Sequence, residues 1–260
     1  MKHLFYLFLL LTYSINSQEV IETSFVKKNK MISKVIVGLN NFETPFYISN
    51  NAIFTTKRNN IEFTYNNIQL GQITSANAFN PLKINLFYKN FNTVVILDSR
   101  LSEMFKIDFN TIQPYKSISN ISTGYDNTLW LFNQDTRQLE LYDYKANVTR
   151  AQTLPIKSAV LDLKSNYNYC WLLTAKNLYV YNYFGSLLKK IKNIGYTSLA
   201  ENNGTIILKK DNNLFYLKKN TNHIIPIVLP NLLINQFFVT NETLYIYDDE
   251  ILHQFQLKIK

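Results

Sequence analysis

The stretch at residues 128–144, TLWLFNQDTRQLELYDY, decides the fold. Two runs rich in Leu, Trp, Phe and Tyr flank the polar segment NQDTRQ. Large aromatic and aliphatic residues of this kind favour strands, and Asn and Asp are typical of tight turns. The stretch therefore predicts a β-hairpin.

Similar hairpins recur along the whole chain, at residues 52–65, 93–109, 128–144, 170–183, 205–219 and 243–258. Successive units are 42, 35, 41, 36 and 39 residues apart when they are anchored on Ile53, Val95, Trp130, Trp171, Ile207 and Ile246. A set of four short strands repeating about every 40 residues is typical of a propeller blade. The segments between the hairpins are long enough for two further strands each.

This repeat predicts an all-β chain folded as a β-propeller. A lone four-stranded blade exposes two apolar faces, and stacking blades in a ring covers both of them. Continuously apolar strands such as residues 94–97 fit that burial. Six blades are favoured, and seven are possible if residues 20–37 form a hairpin of their own. A β-sandwich or another all-β solenoid is the alternative.

The ends of the chain predict how the ring closes. The last hairpin stops at Lys258, which leaves no room for an outer strand after it. We therefore expect an N-terminal strand, from residues 19–25 or 31–37, to complete the final blade. We also expect Trp130 and Trp171 to be buried between neighbouring blades.

The first residues are typical of a secretory signal. Lys2 precedes an apolar octet at residues 4–11, and a more polar stretch ends at Ser17. This octet is too short to span a bilayer, which needs about 20 apolar residues. We predict a signal peptide at residues 1–17 and one propeller domain at residues 18–260. The expected location is the periplasm or the outer membrane's periphery.

The pattern of exported, short-stranded hairpins resembles divergent bacterial β-propellers in architecture. The chain lacks the Gly-His and Trp-Asp motifs of WD40 repeats, and no specific family is indicated. By fold-level analogy, the resemblance implies a protein–protein interaction module or an accessory subunit of a cell-envelope complex for outer-membrane assembly or secretion. The expected partners are other envelope proteins.

The sequence predicts no catalytic, cofactor-binding or metal-ligating residues, and we expect a non-enzymatic protein with no cofactor. His223 and His253 lie in different predicted blades, whereas metal sites need three or four converging ligands. Asp98, Asp143 and Asp248 each follow a strand, and we interpret them as turn residues. The hairpin positions place Asp98 and Asp248 on one face of the ring and Asp143 on the other.

The net charge of +9 comes mostly from Lys at predicted turns and only four Arg. We expect these lysines to solubilise hairpin tips and to allow peripheral contact with an anionic envelope surface. Export and the scarcity of Arg argue against nucleic acid. The alternative function is a glycan- or small-molecule-binding propeller, a lectin or a carbohydrate-active enzyme. A deep polar pocket at the ring centre that holds two or more close carboxylates, or a His with a carboxylate, would favour it, and a plugged apolar centre would exclude it.

Overall fold

A computed structural model describes residues 19–31, 35–39 and 44–259. Within this part of the chain, 24 strands form six four-stranded antiparallel sheets. The first blade contains β2 (Val35–Leu39), β3 (Pro45–Ser49), β4 (Ile53–Arg58) and β5 (Ile61–Tyr65). The second contains β6 (Ser75–Asn77), β7 (Ile84–Tyr88), β8 (Thr93–Leu97) and β9 (Glu103–Asp108). The third contains β10 (Ile118–Thr123), β11 (Thr128–Asn133), β12 (Gln138–Asp143) and β13 (Val148–Gln152).

The fourth blade contains β14 (Val160–Ser165), β15 (Tyr169–Thr174), β16 (Asn177–Asn182) and β17 (Leu187–Lys192). The fifth contains β18 (Ser198–Asn202), β19 (Thr205–Lys210), β20 (Asn213–Leu217) and β21 (Ile224–Pro226). The sixth contains β22 (Gln236–Thr240), β23 (Thr243–Tyr247), β24 (Ile251–Leu257) and β1 (Thr23–Lys30). A single turn of 3₁₀ helix, Lys89–Phe91, joins β7 to β8.

The sheets are arranged as a ring around a central axis. The first strand of each blade is the innermost, and innermost strands of successive blades contact one another, including β22 with β2 and, through Asn77 and Ser122, β6 with β10. The chain is therefore a six-bladed β-propeller, which confirms the predicted fold and the favoured number of blades. Residues 19–31, 35–39 and 44–259 form neither a sandwich nor a seventh blade.

The position of two hairpins within their blades differs from the order that the repeat implied. The hairpins at residues 52–65 and 93–109 supply third and fourth strands, whereas the other four supply second and third strands. When four strands follow one another in a meander, the hairpin of the second and third strands has the same local pattern as the hairpin of the third and fourth strands. Sequence periodicity therefore locates the hairpins and leaves their place in the blade open.

Six apolar clusters occupy the six junctions between neighbouring blades. Trp130 is 1% exposed and packs with Leu163 and Cys170 of the next blade. Trp171 is 5% exposed and packs with Leu199 of the blade after that. The predicted burial of both tryptophans is confirmed. Stacking of blades thus supplies the core that a single blade lacks.

The N-terminal strand closes the ring as predicted. β1 pairs with β24 from Thr23 opposite Leu257 to Lys30 opposite Ile251. It overlaps the first of the two proposed segments, while residues 35–37 of the second segment belong to the innermost strand β2 instead. The predicted signal peptide at residues 1–17 lies outside the described residues.

Candidate functional site

Two faces of the ring present the loops. The first and third strands of every blade end on one face, which we call the upper face, and begin on the lower face. Loops between first and second strands and between third and fourth strands therefore lie on the upper face. Loops between second and third strands and between blades lie on the lower face.

An aromatic patch covers the upper face of the second, third and fourth blades. It consists of Phe79, Tyr125, Tyr167, Tyr183 and Phe184, which come from loops after β6, β10, β14 and β16. The Phe79 and Tyr167 rings meet edge to face, with centroids 5.3 Å apart. Tyr125 meets Tyr183 at 5.8 Å, and Tyr183 meets Phe184 at 4.0 Å. Phe184 is 65% exposed, so the patch contacts solvent.

Asparagine side chains fix the turns that carry the patch. The Oδ1 atom of Asn182 accepts hydrogen bonds from the backbone N–H groups of Phe184 (3.0 Å) and Ser186 (2.9 Å). Asn77 Oδ1 accepts one from the N–H of Phe79 at 3.0 Å. These local hydrogen bonds stabilise the turns. The aromatic rings are therefore held on ordered loops.

A polar network beneath the patch joins three blades. Asn85 donates to Thr123 Oγ1 (2.8 Å), which in turn donates to Asn77 Oδ1 (3.0 Å). Asn77 Nδ2 donates to Ser122 Oγ at 3.2 Å, and Ser165 donates to the same hydroxyl at 2.7 Å. Buried polar groups linked in this way specify one arrangement of the surrounding chain. The network fixes the three blades relative to one another.

Lys83 secures the loop that carries Tyr125. Its buried ammonium group donates to the carbonyls of Gly124 (3.0 Å), Asp126 (2.7 Å) and Thr128 (3.2 Å). Burial lowers the pKa of Lys83 to about 8, and the nearby Asp126 carboxylate opposes this shift. Any Cβ at Gly124 would lie 2.3 Å from Thr128 Oγ1, so this tight loop requires glycine.

A cavity of about 640 Å³ occupies the ring centre and is lined by the innermost strands β2, β6, β14, β18 and β22. Its lining includes the charged residues Asp162, Lys164 and Glu201. The described residues leave the centre open and partly polar, and do not form an apolar plug. The cavity therefore lacks the apolar plug that would exclude the alternative function, and two carboxylates, Asp162 and Glu201, are part of its lining.

Both carboxylates of the cavity already hold structural hydrogen bonds. Asp162 Oδ2 accepts from the N–H of Leu199 at 2.9 Å. Glu201 Oε1 accepts from Asn166 Nδ2 (2.8 Å) and from the N–H of Gly204 (2.9 Å). Burial raises the pKa of Glu201, and these two hydrogen bonds oppose the shift. Asp162 therefore links the innermost strands β14 and β18, and Glu201 anchors two turns, while both carboxylates line the cavity.

Asp98, Asp143 and Asp248 cap turns, as interpreted from the sequence. Each Oδ1 accepts two backbone N–H bonds from the following residues. Their predicted distribution between faces was wrong. Asp98 and Asp143 both follow third strands and lie on the upper face, whereas Asp248 follows the second strand β23 on the lower face. The error follows from the misplaced hairpin position in the second blade.

The two histidines of the described residues, His223 and His253, lie apart. His253 is buried, and its Nε2 atom lies 2.9 Å from Asp248 Oδ2. His223 is exposed in the turn before β21. Among residues 19–31, 35–39 and 44–259, no three His, Cys, Asp or Glu side chains converge in a way that could hold a metal ion.

Sequence reasoning missed a buried ion pair on the far side of the third blade. Lys116 Nζ lies 2.5 Å from Glu140 Oε2, and both side chains are almost fully buried. Asn133 and Thr149 donate to the remaining sites of the Glu140 carboxylate, at 2.9 and 3.1 Å. Polar and apolar residues alternate in QLEL (residues 138–141), which suggests that Glu140 faces solvent. In a propeller, however, neighbouring blades cover both faces of a blade, so this alternation does not indicate exposure.

The described part of the chain contains no helix that is long and apolar enough to cross a membrane. No protein-family model matches the chain, and no curated protein matches its sequence.

Solved structures match the chain in fold. A streptogramin B lyase gives a TM-score of 0.64 at 10% identity, covering 90% of this chain and 88% of its own. A chain of the mitotic checkpoint complex gives 0.63 at 10% identity, covering 92% of this chain and 86% of its own. A catalytically inactive virginiamycin B lyase from Staphylococcus aureus, crystallised with quinupristin, gives 0.58 at 10% identity, covering 88% and 99%. At these identities the likeness shows a β-propeller and no specific family.

Proposed function

We propose that this propeller is a non-enzymatic protein-interaction module whose docking surface is the aromatic patch of the upper face. The observation that carries the proposal is the presence of two groups of contacting rings on the upper face of three neighbouring blades, the pair Phe79–Tyr167 and the trio Tyr125–Tyr183–Phe184. Tyr167, Tyr183 and Phe184 are exposed. Exposed apolar patches on soluble domains commonly mark interaction sites. Tyr and Phe are also enriched at the centres of protein interfaces.

The rigidity of the patch supports the same proposal. Asn-capped turns and the polar network beneath them hold the rings before a partner arrives. A preordered surface loses less conformational entropy on binding, so more of the contact energy contributes to affinity. Rigid aromatic anchors are also the side chains that typically dominate binding energy.

We propose further that the partner is another protein of the bacterial cell envelope and that the chain is exported to meet it. The support is the N-terminal sequence, with Lys2 before an apolar octet. Lysines of the exposed outer strand β1, at positions 27, 28 and 30, support an additional peripheral contact with anionic envelope surfaces. Such a contact would weaken as salt is raised.

The test is affinity purification of a tagged chain from membranes, comparing wild type with the double variant Tyr183→Ser/Phe184→Ser. We expect wild type to bring down one stoichiometric envelope partner and the double variant to lose it. Phe91→Ser is the matched control, because Phe91 is an exposed ring (47%) on the lower face. It should retain the partner.

Two results would contradict the proposal. Recovery of monomer alone from wild type would argue against an interaction module altogether. Retention of the partner by the Tyr183/Phe184 variant, with loss in the Phe91 variant, would move the docking surface to the lower face. Thermal unfolding of all three proteins establishes that loss of partner is not loss of fold.

The open central cavity favours a second candidate function, binding of a small polar molecule. Its volume of about 640 Å³ lies within the range of ordinary ligand sites, and Asp162, Lys164 and Glu201 offer polar contacts. A thermal-shift screen of sugars and small polar metabolites tests this candidate. A ligand that stabilises wild type but not Lys164→Met would support it, and the absence of any stabilising ligand would count against it.

A further inference from the structure

A second, smaller pocket lies on the upper face between the first and second blades. It has a volume of about 240 Å³ and lies between the turns that join β4 to β5 and β8 to β9. Its lining residues are Arg58, Asn59, Ile61, Phe63, Ser99 and Arg100. The chain contains only four arginines, and two of them, 42 positions apart in sequence (100 − 58), meet here.

Arg58 is held in place while most of its donors stay available. One Nη2 hydrogen bond goes to the carbonyl of Ser99 in the next blade. The guanidinium carbon lies 5.1 Å from the centroid of the Phe63 ring, which adds a cation–π contact. A guanidinium group has five N–H donors, so about four remain for a ligand.

The two guanidinium groups lack a neutralising partner among the described residues. No carboxylate of residues 19–31, 35–39 and 44–259 lies within ion-pairing distance of Arg58 or Arg100. Asp98 is the acidic residue nearest to Arg100 along the chain. Its Oδ1 atom caps its own turn by accepting hydrogen bonds from the N–H groups of Arg100 and Ser102. Two like charges at one pocket repel each other, and an anion between them removes that repulsion.

We propose that this pocket, the arginine notch, is a binding site for a carboxylate attached to an apolar group. The two arginines supply charge-assisted, bidentate hydrogen bonds to the carboxylate. Phe63 is half-buried at the pocket and Ile61 is 58% exposed, so they offer an apolar surface beside the arginines. The inference is independent of the aromatic patch.

The apolar lining favours a carboxylate over a phosphate. Inorganic phosphate would satisfy the arginines but would leave Ile61 and Phe63 facing water. A carboxylate carried on an aromatic or aliphatic group covers both kinds of surface at once, and burial of that apolar area adds to the affinity. The carboxylate has two possible sources, a free small acid or an acidic side chain of a protein.

The test uses NMR of the folded, ¹⁵N-labelled chain and observes the side-chain Nε–Hε resonances of its four arginines. The probes are phenylacetate, its neutral amide, a blocked peptide with Glu next to Phe, and inorganic phosphate. We expect phenylacetate or the peptide to shift the resonances of Arg58 and Arg100 saturably and to leave those of Arg137 and Arg150 in place. Binding by the free acid or only by the peptide distinguishes the two sources.

Arg100→Gln should weaken binding about tenfold or more, because it removes charged hydrogen bonds from an exposed side chain. Arg137→Gln is the matched control, since it makes the same charge change on the lower face and should bind normally. Three results would each overturn the proposal. They are equal shifts with the neutral amide, binding of phosphate alone, and the absence of a saturable shift at a probe concentration of about 10 mM, about ten times a dissociation constant of about 1 mM. Substitution of the notch arginines should leave partner binding at the aromatic patch unaffected.

Discussion

Replacement of Trp130 by Ala measures how much one junction between blades contributes to stability. Trp130 is 1% exposed, lies on the second strand β11, and packs against Leu163 and Cys170 of the following blade. A buried Trp removes about 150–250 Å² from water, worth about 4–6 kcal/mol at 25 cal/mol per Å². Because Ala retains part of that area, we expect the free energy of unfolding to fall by about 3–5 kcal/mol.

Urea unfolding followed by circular dichroism measures this loss. With a slope of about 2–3 kcal/mol per molar urea, the midpoint should fall by about 1–2.5 M. Trp171 is the only other tryptophan, so its fluorescence in the Trp130→Ala protein reports on the next junction of the ring. Coincident transitions by the two probes would show that the blades unfold together.

An exposed aromatic residue supplies the control. Phe184→Ala removes a ring that is 65% exposed and should change the free energy of unfolding by less than about 0.5 kcal/mol. A loss below about 1 kcal/mol for Trp130→Ala would refute the reasoning. It would mean that the cluster between these blades contributes little to holding the ring together.

Three further outcomes are expected. Removing residues 19–30 deletes β1 and exposes the edge of β24, so calorimetry should show a lower melting temperature and light scattering should show aggregation. Lys83→Met removes the side-chain donor from the carbonyls of Gly124, Asp126 and Thr128 and should cost about 2–3 kcal/mol in urea unfolding; an unchanged midpoint would contradict the assigned role. Burial alone would raise the pKa of Asp143 and Asp248, but hydrogen bonds from backbone N–H groups, Arg150 and His253 leave both values lowered. The stabilising effect of these two carboxylates is therefore present above a pH of about 4 and is lost as the pH falls below it. The melting temperature of the Asp248→Asn variant should consequently depend less steeply on acid pH than that of wild type.

Local pattern carried most of the information about the fold. Alternating aromatic and aliphatic residues located the hairpins, and Asn took positive φ at tight turns such as Asn59–Asn60. The repeat spacing favoured six blades, and the expected pairing of an N-terminal strand with the last hairpin at residues 243–258 is present in the structure. These features depend on residues close together in sequence or on a simple count of strands.

The candidate sites depended on contacts between distant residues. Arg58 and Arg100 belong to turns of different blades, and the aromatic patch gathers loops from residues 79 to 184. Nothing in the sequence near any one of these residues indicates its neighbours. The buried pair of Lys116 and Glu140 likewise looks like ordinary surface charge until the adjoining blade covers it.

The sequence alone predicted an all-β ring with six hairpin-based units favoured over seven, because strand propensity, turn chemistry and period are local properties of the chain. Only the tertiary structure decided which turns share a face, which charges are buried and where a pocket opens. Those properties arise from the stacking of blades, which brings together side chains that lie about 40 residues or more apart.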